Sequence, residues 1–373
     1  MKAIIAMSGG VDSSVAAWLV KEQGARCAGI TLKLFVNKDI GRDTPSSPDY
    51  PGGGTTVSGR QGCCSLDDIN DARAVAYRLG IPHYVLNFTE EFRSTVIRRF
   101  VETYEKGATP NPCIDCNRFI KFSRLLERAR QLDFDTLVTG HYARIERDGP
   151  GGRFLLRKAA DPGKDQSYVL YGLTQDQLAH TVFPLGGMTK KETREIAEAQ
   201  GFVNAGKQDS QDICFAPDRD YGSFIERHTG KRSPEGDIVD EAGRILGRHR
   251  GIVRYTIGQR RGLGIALNEP LYVKAKSAAD NTVTLGPEES LYAKSLIAND
   301  LNLIATERLD KPLRVFVKTR YQQQEQMATA EQIGEDTLRV DFDEPQRAIT
   351  PGQAVVLYDG DLVVGGGAIV AAG

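Results

Sequence analysis

Two groups of residues in this 373-residue sequence have types and spacings suited to chemistry: a glycine-serine loop at the N-terminus and six cysteines. The loop is Ser8-Gly9-Gly10-Val11-Asp12-Ser13-Ser14. It follows the apolar run Lys2 to Met7 and enters a stretch, Val11 to Glu22, whose apolar residues recur with helical period. Two glycines let the backbone turn sharply and bring amide N–H groups to an anion, and the helix start adds unpaired amides and the positive end of a dipole. Ser8, Ser13 and Ser14 are hydroxyl donors for phosphate oxygens. Asp12 beside phosphate calls for a cation between them, which points to Mg2+. The competing reading is a serine-capped helix after a glycine turn. The loop's place at the carboxyl end of the first strand favours phosphate binding, although it is neither a GxxxxGK[ST] loop nor a GxGxxG fingerprint.

The cysteines are Cys27, Cys63, Cys64, Cys113, Cys116 and Cys214, too few for a disulfide scaffold in a chain of this length. Those in polar loops need a chemical explanation. Cys113 and Cys116 lie in Thr109-Pro110-Asn111-Pro112-Cys113-Ile114-Asp115-Cys116-Asn117, where the prolines stiffen the loop and Asn117 is placed to cap a helix beginning near Arg118. A thiol just before a helix N-terminus has its thiolate stabilised by the dipole, and Arg118 and Lys121 add positive charge. A CxxC pair can also be a zinc knuckle or an inert buried pair. Zinc needs four ligands, and no second CxxC or spaced Cys/His pair follows. A sulfur-carrying or redox pair and a three-cysteine cluster with Cys214 both stay open. Cys214, in Asp209-Ser210-Gln211-Asp212-Ile213-Cys214-Phe215, has apolar flanks that would equally suit a buried cysteine.

These residues must be held by elements that the pattern also indicates. Strand-like runs at Lys2 to Met7, Ala28 to Phe35, His83 to Phe88 and Thr136 to Gly140 are separated by helical stretches Val11 to Glu22, Leu66 to Leu79, Glu90 to Tyr104 and Arg118 to Leu132. That alternation predicts an α/β fold with a parallel sheet covered on both faces, with ligands beyond the carboxyl ends of its strands. His141 sits just past the fourth strand. Asn37 to Gly62, rich in Gly, Pro, Ser and Asp, predicts a long loop near that ligand face. Thr189 caps a predicted amphipathic helix to Gln200. Beyond Gly222 short strand-like runs dominate: Val253 to Ile257, Leu271 to Lys274, Arg314 to Thr319, Thr337 to Phe342 and Ala354 to Tyr358, then a glycine-rich finish. They predict a small mixed central domain and a C-terminal β-barrel. The expected domains are residues 1–215, 216–290 and 291–373.

The sequence contains no run of roughly 18 apolar residues and no signal-peptide pattern or Arg-rich presequence at Met1, so the expectation is a cytoplasmic protein that does not engage a membrane. A net charge of -1 gives no global argument for a polyanionic partner. Locally, Arg244 to Arg261 contains six arginines, His249 and no acid, a stretch suited to an RNA backbone or to a solvated basic face. Arg118, Lys121, Arg124, Arg128 and Arg130 would extend that surface, and Tyr255 and Arg260 are candidate nucleotide contacts.

The loop at 8–14 resembles the SGGxDS loop of the ATP-pyrophosphatase family, whose members split ATP between the α and β phosphates. Together with CCSLDDINDARAVAYRLGIPHYVLNF at 63–88, NPCIDCNRFIKF at 111–122, TGHYAR at 139–144, KDQSYVL at 164–170, DSQDICF at 209–215 and GQRRGLG at 258–264, it resembles the tRNA-specific 2-thiouridylase family over nearly the whole chain. That resemblance implies an adenine nucleotide alpha hydrolase-like N-terminal domain and ATP-dependent 2-thiolation of the wobble uridine of tRNA, with Mg2+ and a persulfide donor such as a cysteine desulfurase or a relay protein. It further implies nucleotide contacts from Ser8 to Ser14, Leu34 and Gly140, and RNA contacts from Lys164, Gln166, Arg254, Arg260 and Arg261. Cys116 becomes the acceptor of persulfide sulfur, Cys214 its partner, and Asp12 part of the catalytic set. The family often has Asp where this sequence has Cys113. Two routes therefore stand open: a persulfide on Cys116, or a [4Fe-4S] cluster held by Cys113, Cys116 and Cys214.

Overall fold

The computed structural model describes residues 1–35, 66–209, 213–216, 218–265 and 269–373. The predicted 37–62 loop, Cys63, Cys64 and residues 210–212 lie outside the described residues. Strands β1 (Lys2–Ala6), β2 (Arg26–Lys33), β3 (His83–Asn87) and β4 (Thr136–Val138) fall on the apolar runs. A hairpin of β5 (Arg144–Arg147) and β6 (Phe154–Arg157) precedes the short β7 (Thr181–Val182). The first sheet has the order β3-β2-β1-β4-β7, every pairing parallel. Connections leave β1 toward β2 on one side and the sheet resumes with β4 on the other. That reversal opens a crevice beyond the carboxyl ends of β1 and β4, the usual ligand position in such sheets.

Helices Val11–Glu22 and Leu66–Leu79 cover the sheet, followed by continuous helices over 89–105 and 112–131. The last starts earlier than its expected beginning near Arg118. Pro112 takes the first helical position, where its missing N–H costs nothing, and the Asn111 side chain accepts from the Cys113 N–H at 3.2 Å. Asn111 is thus the cap, and Asn117 lies inside the helix. From Cys116 to Arg124 the helix widens to π winding, a departure that often accompanies functional sites.

The central unit carries helix Tyr221–Thr229 and strands β8 (Gly236–Val239), β9 (Ile245–His249), β10 (Tyr272–Ser277) and β11 (Thr282–Gly286) in the order β10-β11-β8-β9. The β11–β8 pairing is parallel and the others antiparallel. The strand expected at Val253 to Ile257 is instead a 3-10 turn, Ile252–Arg254, because Gly251 at φ +104 and Gly258 at φ +86 turn the chain on either side.

Six strands, β12 (Tyr292–Leu303), β13 (Leu313–Lys318), β14 (Gln326–Gly334), β15 (Thr337–Arg347), β16 (Ala354–Asp359) and β17 (Leu362–Ala372), form the C-terminal barrel. The order β12-β15-β14-β13-β16-β17 is closed by β12 pairing antiparallel with β17. The glycine-rich finish is therefore the closing strand. A Cβ on Gly366 would stand 2.3 Å from the Val355 carbonyl oxygen and 2.8 Å from the Tyr171 ring, so glycine is required for that approach. β17 also pairs with β6, so a hairpin from the first half of the chain extends the barrel wall.

The cores do not respect these divisions. One buried cluster joins Phe92, Phe100, Tyr104 and Cys116 to Phe224, Ile238, Val273 and Val283 of the central unit. Another joins Phe122 and Leu125 to Ala354, Val356 and Tyr358 of the barrel. The cysteine-bearing helix is thereby packed between the central unit and the barrel.

Candidate active site

The Ser8–Ser14 loop lies at the crevice opened by β1 and β4. Gly9 turns the chain at φ +75, and a Cβ there would meet the Asp68 carbonyl oxygen at 2.2 Å. Gly140, just beyond β4, packs backbone to backbone on the loop: a Cβ would stand 2.7 Å from the Asp12 carbonyl carbon and the Ser13 nitrogen. The serines divide. Ser13 and Ser14 are buried, and their hydroxyls donate to the Gly10 carbonyl at 3.0 and 3.1 Å. They brace the loop instead of presenting donors to a phosphate. Ser8 is exposed, and its N–H donates to the Ser13 hydroxyl at 3.1 Å. Val11 is core, so only its backbone faces a ligand, and Leu34 is buried in the cluster that holds Cys116.

Several residues that the sequence did not mark complete this loop. Buried Asn204 donates to the Gly9 carbonyl at 2.9 Å and the Ser14 hydroxyl at 3.0 Å. Lys207 reaches the Gly9 carbonyl at 3.2 Å while pairing with Asp68 and Asp71. Burial alone would lower the Lys207 ammonium, yet hydrogen bonds to the two carboxylates raise it above the usual lysine range. Lys190 donates to Asp12 Oδ1 at 2.6 Å and to Asp209 Oδ1 at 2.7 Å. Tyr142 donates to the same Asp12 oxygen at 2.9 Å. The available signal for Lys190 was a cation in the first turn of its helix, where the dipole disfavours positive charge.

Asp209 is a shared counter-ion. Besides Lys190 it takes Lys164 at 2.8 Å and Arg194 at 3.2 Å. Desolvation raises its carboxyl, but hydrogen bonds from Lys164 and Lys190 outweigh that and hold it below the usual carboxylate range. The phosphate loop, the 164–166 segment and the segment leading to Cys214 therefore meet at one cluster of charges. Gln166 braces the same region, its side-chain oxygen accepting from the Tyr142 N–H at 2.9 Å.

Cys116 is buried in the aromatic cluster, and Cys214 packs against that cluster with Ile213. Phe215 anchors the Cys214 segment edge-on to Phe100, with centroids 5.1 Å apart, and to Phe92 at 5.7 Å. Burying such a ring contributes about 1.5–3 kcal/mol. Cys113 is exposed and belongs to neither core. The earlier helix start revises the electrostatic argument: Cys113 is in the first helical turn, and Cys116 lies one turn further from the dipole's positive end. Asp115 sits between them. Burial raises its carboxyl above the usual range against the opposing charge of Arg99, whose Nε donates to Asp115 at 3.2 Å.

The barrel positions the loop that carries these thiols. Gln353 donates to the Thr109 and Pro110 carbonyls at 2.8 and 3.2 Å, and the Thr109 N–H donates to the Pro351 carbonyl at 2.8 Å. Arg118 forms a two-pronged ion pair with Asp300 of β12. Asn117 donates to the Val169 carbonyl at 3.0 Å, and among the described residues its buried Oδ1 has no partner.

The proposed basic surface is partly consumed internally. Arg118 pairs with Asp300, Arg124 with Glu127 and Arg130 with Asp176. In the central unit Arg244 pairs with Asp240 and Arg248 with Asp237. Arg254 is spent on Asp220 and Glu226, fastening the 221–229 helix, and Tyr255 is buried with its hydroxyl toward the Leu263 carbonyl. Arg260 and Arg261 remain exposed. His141 is buried between Phe122 and Phe183 and bonded to the Thr139 hydroxyl at 2.7 Å. Desolvation, then the charge of Lys121, holds it well below the usual histidine value.

Residues 1–218 match the family described as tRNA methyl transferase HUP domain, residues 222–287 its PRC-barrel domain, and residues 293–369 the aminomethyltransferase beta-barrel domain. The tRNA-specific 2-thiouridylase MnmA of Clostridioides difficile is 50% identical over 368 residues, covering 99% of this chain and 98% of that one. That of Acetivibrio thermocellus is 49% identical, covering 99% of each. The chain belongs to the tRNA-specific 2-thiouridylase family. A solved 4-thiouridine synthetase–RNA complex with bound ATP is similar at 18% identity and a TM-score of 0.35, over 58% of this chain and 45% of that one, too low to carry an argument. The residues matched by the HUP-domain description hold both the phosphate loop and the thiols, the central unit completes the buried cluster around Cys116, and the barrel holds the preceding loop at Thr109 and Pro110.

The three-cysteine cluster does not fit this site. Among the described residues no group of three or more His, Cys, Asp or Glu side chains is placed to hold a metal ion, and Cys113 is exposed while Cys116 is buried. Among the described residues, no helix is long and apolar enough to cross a membrane.

Proposed function

We propose that this chain carries out ATP-dependent 2-thiolation of the wobble uridine of tRNA through a persulfide on Cys116, with Cys214 as the second thiol. The observation that carries the residue assignment is the convergence of Cys116 and Cys214 on one aromatic cluster, with Asp209 tying the Cys214 segment to the phosphate loop.

The uracil C2 carbonyl is a poor electrophile because its oxygen is a bad leaving group. Its oxygen attacks the α-phosphorus of ATP, pyrophosphate departs, and C2 carries an adenylate. The amides of the Gly9-Gly10 turn bind the phosphates, and Asp12 is the residue that would hold Mg2+ arriving with the nucleotide. That ion neutralises phosphate charge when bound. The terminal sulfur of the Cys116 persulfide attacks C2 and AMP leaves with the oxygen. Cys214 then attacks Cys116 Sγ, the persulfide S–S bond breaks toward the sulfur now on C2, and the two cysteines end as a disulfide that a thiol reductant reopens. C2 must reach sulfur and phosphate together, so the base leaves the anticodon stack.

Lys164, Gln166, Arg260 and Arg261 are assigned to RNA contact, and Arg254 to the support of that surface. The catalytic unit is residues 1–215, the RNA-contacting unit 216–290 and the barrel 291–373. A cysteine desulfurase or a persulfide relay protein supplies the sulfur, and the reaction belongs to the cytoplasm, where thiol reductants are abundant.

Anaerobic purification followed by iron and acid-labile sulfide analysis, with thiolation assays of C113A, C116A and C214A, tests the assignment. Iron-free protein assayed with Mg2+ is expected to be fully active, with activity lost in C116A and C214A and retained in C113A. A stoichiometric cluster required for product, or full loss of activity in C113A, would overturn it.

A further inference from the structure

We propose that Lys276 is a positioning residue for sulfur transfer, tying the loop that leads to the thiols to the RNA-contacting turn of the central unit. The inference rests on the roles proposed for Cys116, Arg260 and Arg261, and it concerns a residue far from the charge cluster at Asp209.

Lys276 lies on β10, and its half-buried side chain stands between two segments that are distant in sequence. The ammonium donates to the Tyr255 carbonyl at 2.8 Å and reaches the Ala108 carbonyl at 3.5 Å. The Tyr104 ring faces it, with the centroid 5.6 Å away. Tyr104 and Ala108 bracket the end of the 89–105 helix, where unpaired carbonyls and the negative end of the dipole favour a cation. Ala108 is followed by Thr109 and Pro110, whose carbonyls the barrel holds through Gln353, and then by Asn111, the cap of the helix that carries Cys116. Tyr255 begins the turn to the exposed Arg260 and Arg261. That turn is stitched to the same strand: the Gly258 N–H donates to the Val273 carbonyl at 2.8 Å and the Val273 N–H to the Gln259 carbonyl at 2.9 Å.

Packing alone does not account for a lysine here. Burial pushes the ammonium down to about 8, and among the described residues no carboxylate offsets that loss. An apolar side chain would fill the space without desolvating a charge. What the ammonium adds is three donors on a long stem, enough to hold carbonyl oxygens from two units at once. Without it the Tyr255 and Ala108 carbonyls would share the seam with no donor between them. The loop before the thiols would then be gripped from the barrel side, and the central unit would be free to part from the helix that bears Cys116. Val273, three residues before Lys276 on the same strand, belongs to the buried cluster around Cys116, so loosening this seam opens that cluster. The partners of Lys276 lie at 104–108 and 255, apart from the phosphate loop.

The test is alkylation of the full chain by iodoacetamide, with each cysteine followed by peptide mass spectrometry, beside steady-state thiolation of a tRNA transcript. Cys27 is the internal control, because it is buried in the core of the first sheet, away from the seam. In Lys276→Met the alkylation rate of Cys116 is expected to rise about tenfold or more while that of Cys27 stays within about twofold of the unaltered chain. In the same variant kcat for thiolation is expected to fall about tenfold or more, with KM for ATP within about twofold. Lys276→Arg, which keeps the charge and the donors, is expected to restore both readouts toward the unaltered values. If Lys276→Met does not fold, Lys276→Gln carries the same comparison. An unchanged Cys116 rate, a parallel rise at Cys27, an undiminished kcat, or failure of both uncharged variants to fold would make Lys276 an ordinary core contact and overturn the proposal. Alkylation needs neither ATP nor RNA, so absence of thiolation by the unaltered chain would instead refute the roles assigned to the thiols.

Discussion

Gly140→Ala is the substitution whose effect can be worked most directly from the structure. The added methyl would stand 2.7 Å from the Asp12 carbonyl carbon, 2.7 Å from the Ser13 nitrogen and 3.0 Å from the Asp12 Cβ. Ordinary contact begins near 3.4 Å, so the end of β4 and the start of the loop helix must part by about 0.7 Å, the difference between 3.4 and 2.7. Two of the three obstructing atoms are backbone, so no side-chain rotation relieves the contact. Overpacking of this kind costs about 1–3 kcal/mol of stability. On the proposed reading the functional cost is larger in proportion, because the displaced backbone belongs to the loop to which phosphate binding is assigned, and misplacement approaching 1 Å can slow a reaction about 100-fold. The expected result is a 10- to 100-fold fall in kcat/KM for ATP with unmodified tRNA transcript, read as pyrophosphate release, with a Tm only a few degrees lower. Pyrophosphate release within twofold of the unaltered enzyme, in a protein whose Tm has fallen, would show that loop position is not set by this contact and refute the reasoning.

Three further outcomes are expected. Burial holds His141 below its unfolded value of about 6.5, so the unfolded chain takes up the proton first and stability is lost as pH falls below that value, by up to about 1.4 kcal/mol per pH unit. Urea melts of His141→Gln between pH 7.5 and 5.5 should show a correspondingly flatter dependence, and an identical slope would contradict the assignment. Asn204→Ala removes donors to the Gly9 carbonyl and the Ser14 hydroxyl and should cost about 1–3 kcal/mol in denaturant melts, with a raised KM for ATP. An unaltered KM would show that the brace is dispensable. Gly366→Ala drives a methyl into the Val355 carbonyl and the Tyr171 ring, so the barrel should lose at least about 1–3 kcal/mol, measurable as a lower urea midpoint. An unchanged midpoint would mean that β17 closes the barrel with room to spare.

The sequence alone determined what depends on local pattern. Short strand-like runs and the intervening helical periods located the first four strands and the helices Val11–Glu22 and Leu66–Leu79, because each such element is specified by the residues within it. The glycine-serine loop was equally readable, since its turn and its helix start are adjacent in the chain. Tertiary structure decided the rest, and for identifiable reasons. Asn111 displaced Asn117 as the helix cap once Pro112 occupied the first position, shifting dipole stabilisation from Cys116 toward Cys113. The glycine-rich finish became the barrel's closing strand because close approach to β12, β16 and Tyr171 exists only after closure. Most of the candidate arginines on the 112–131 helix and in Arg244 to Arg261 were drawn into ion pairs with acids that composition counts but cannot place, Asp300 for Arg118 and Glu226 for Arg254. Lys190 is the clearest case: it joins Asp12, far away in the sequence, to Asp209, a meeting of segments that only the folded chain brings about.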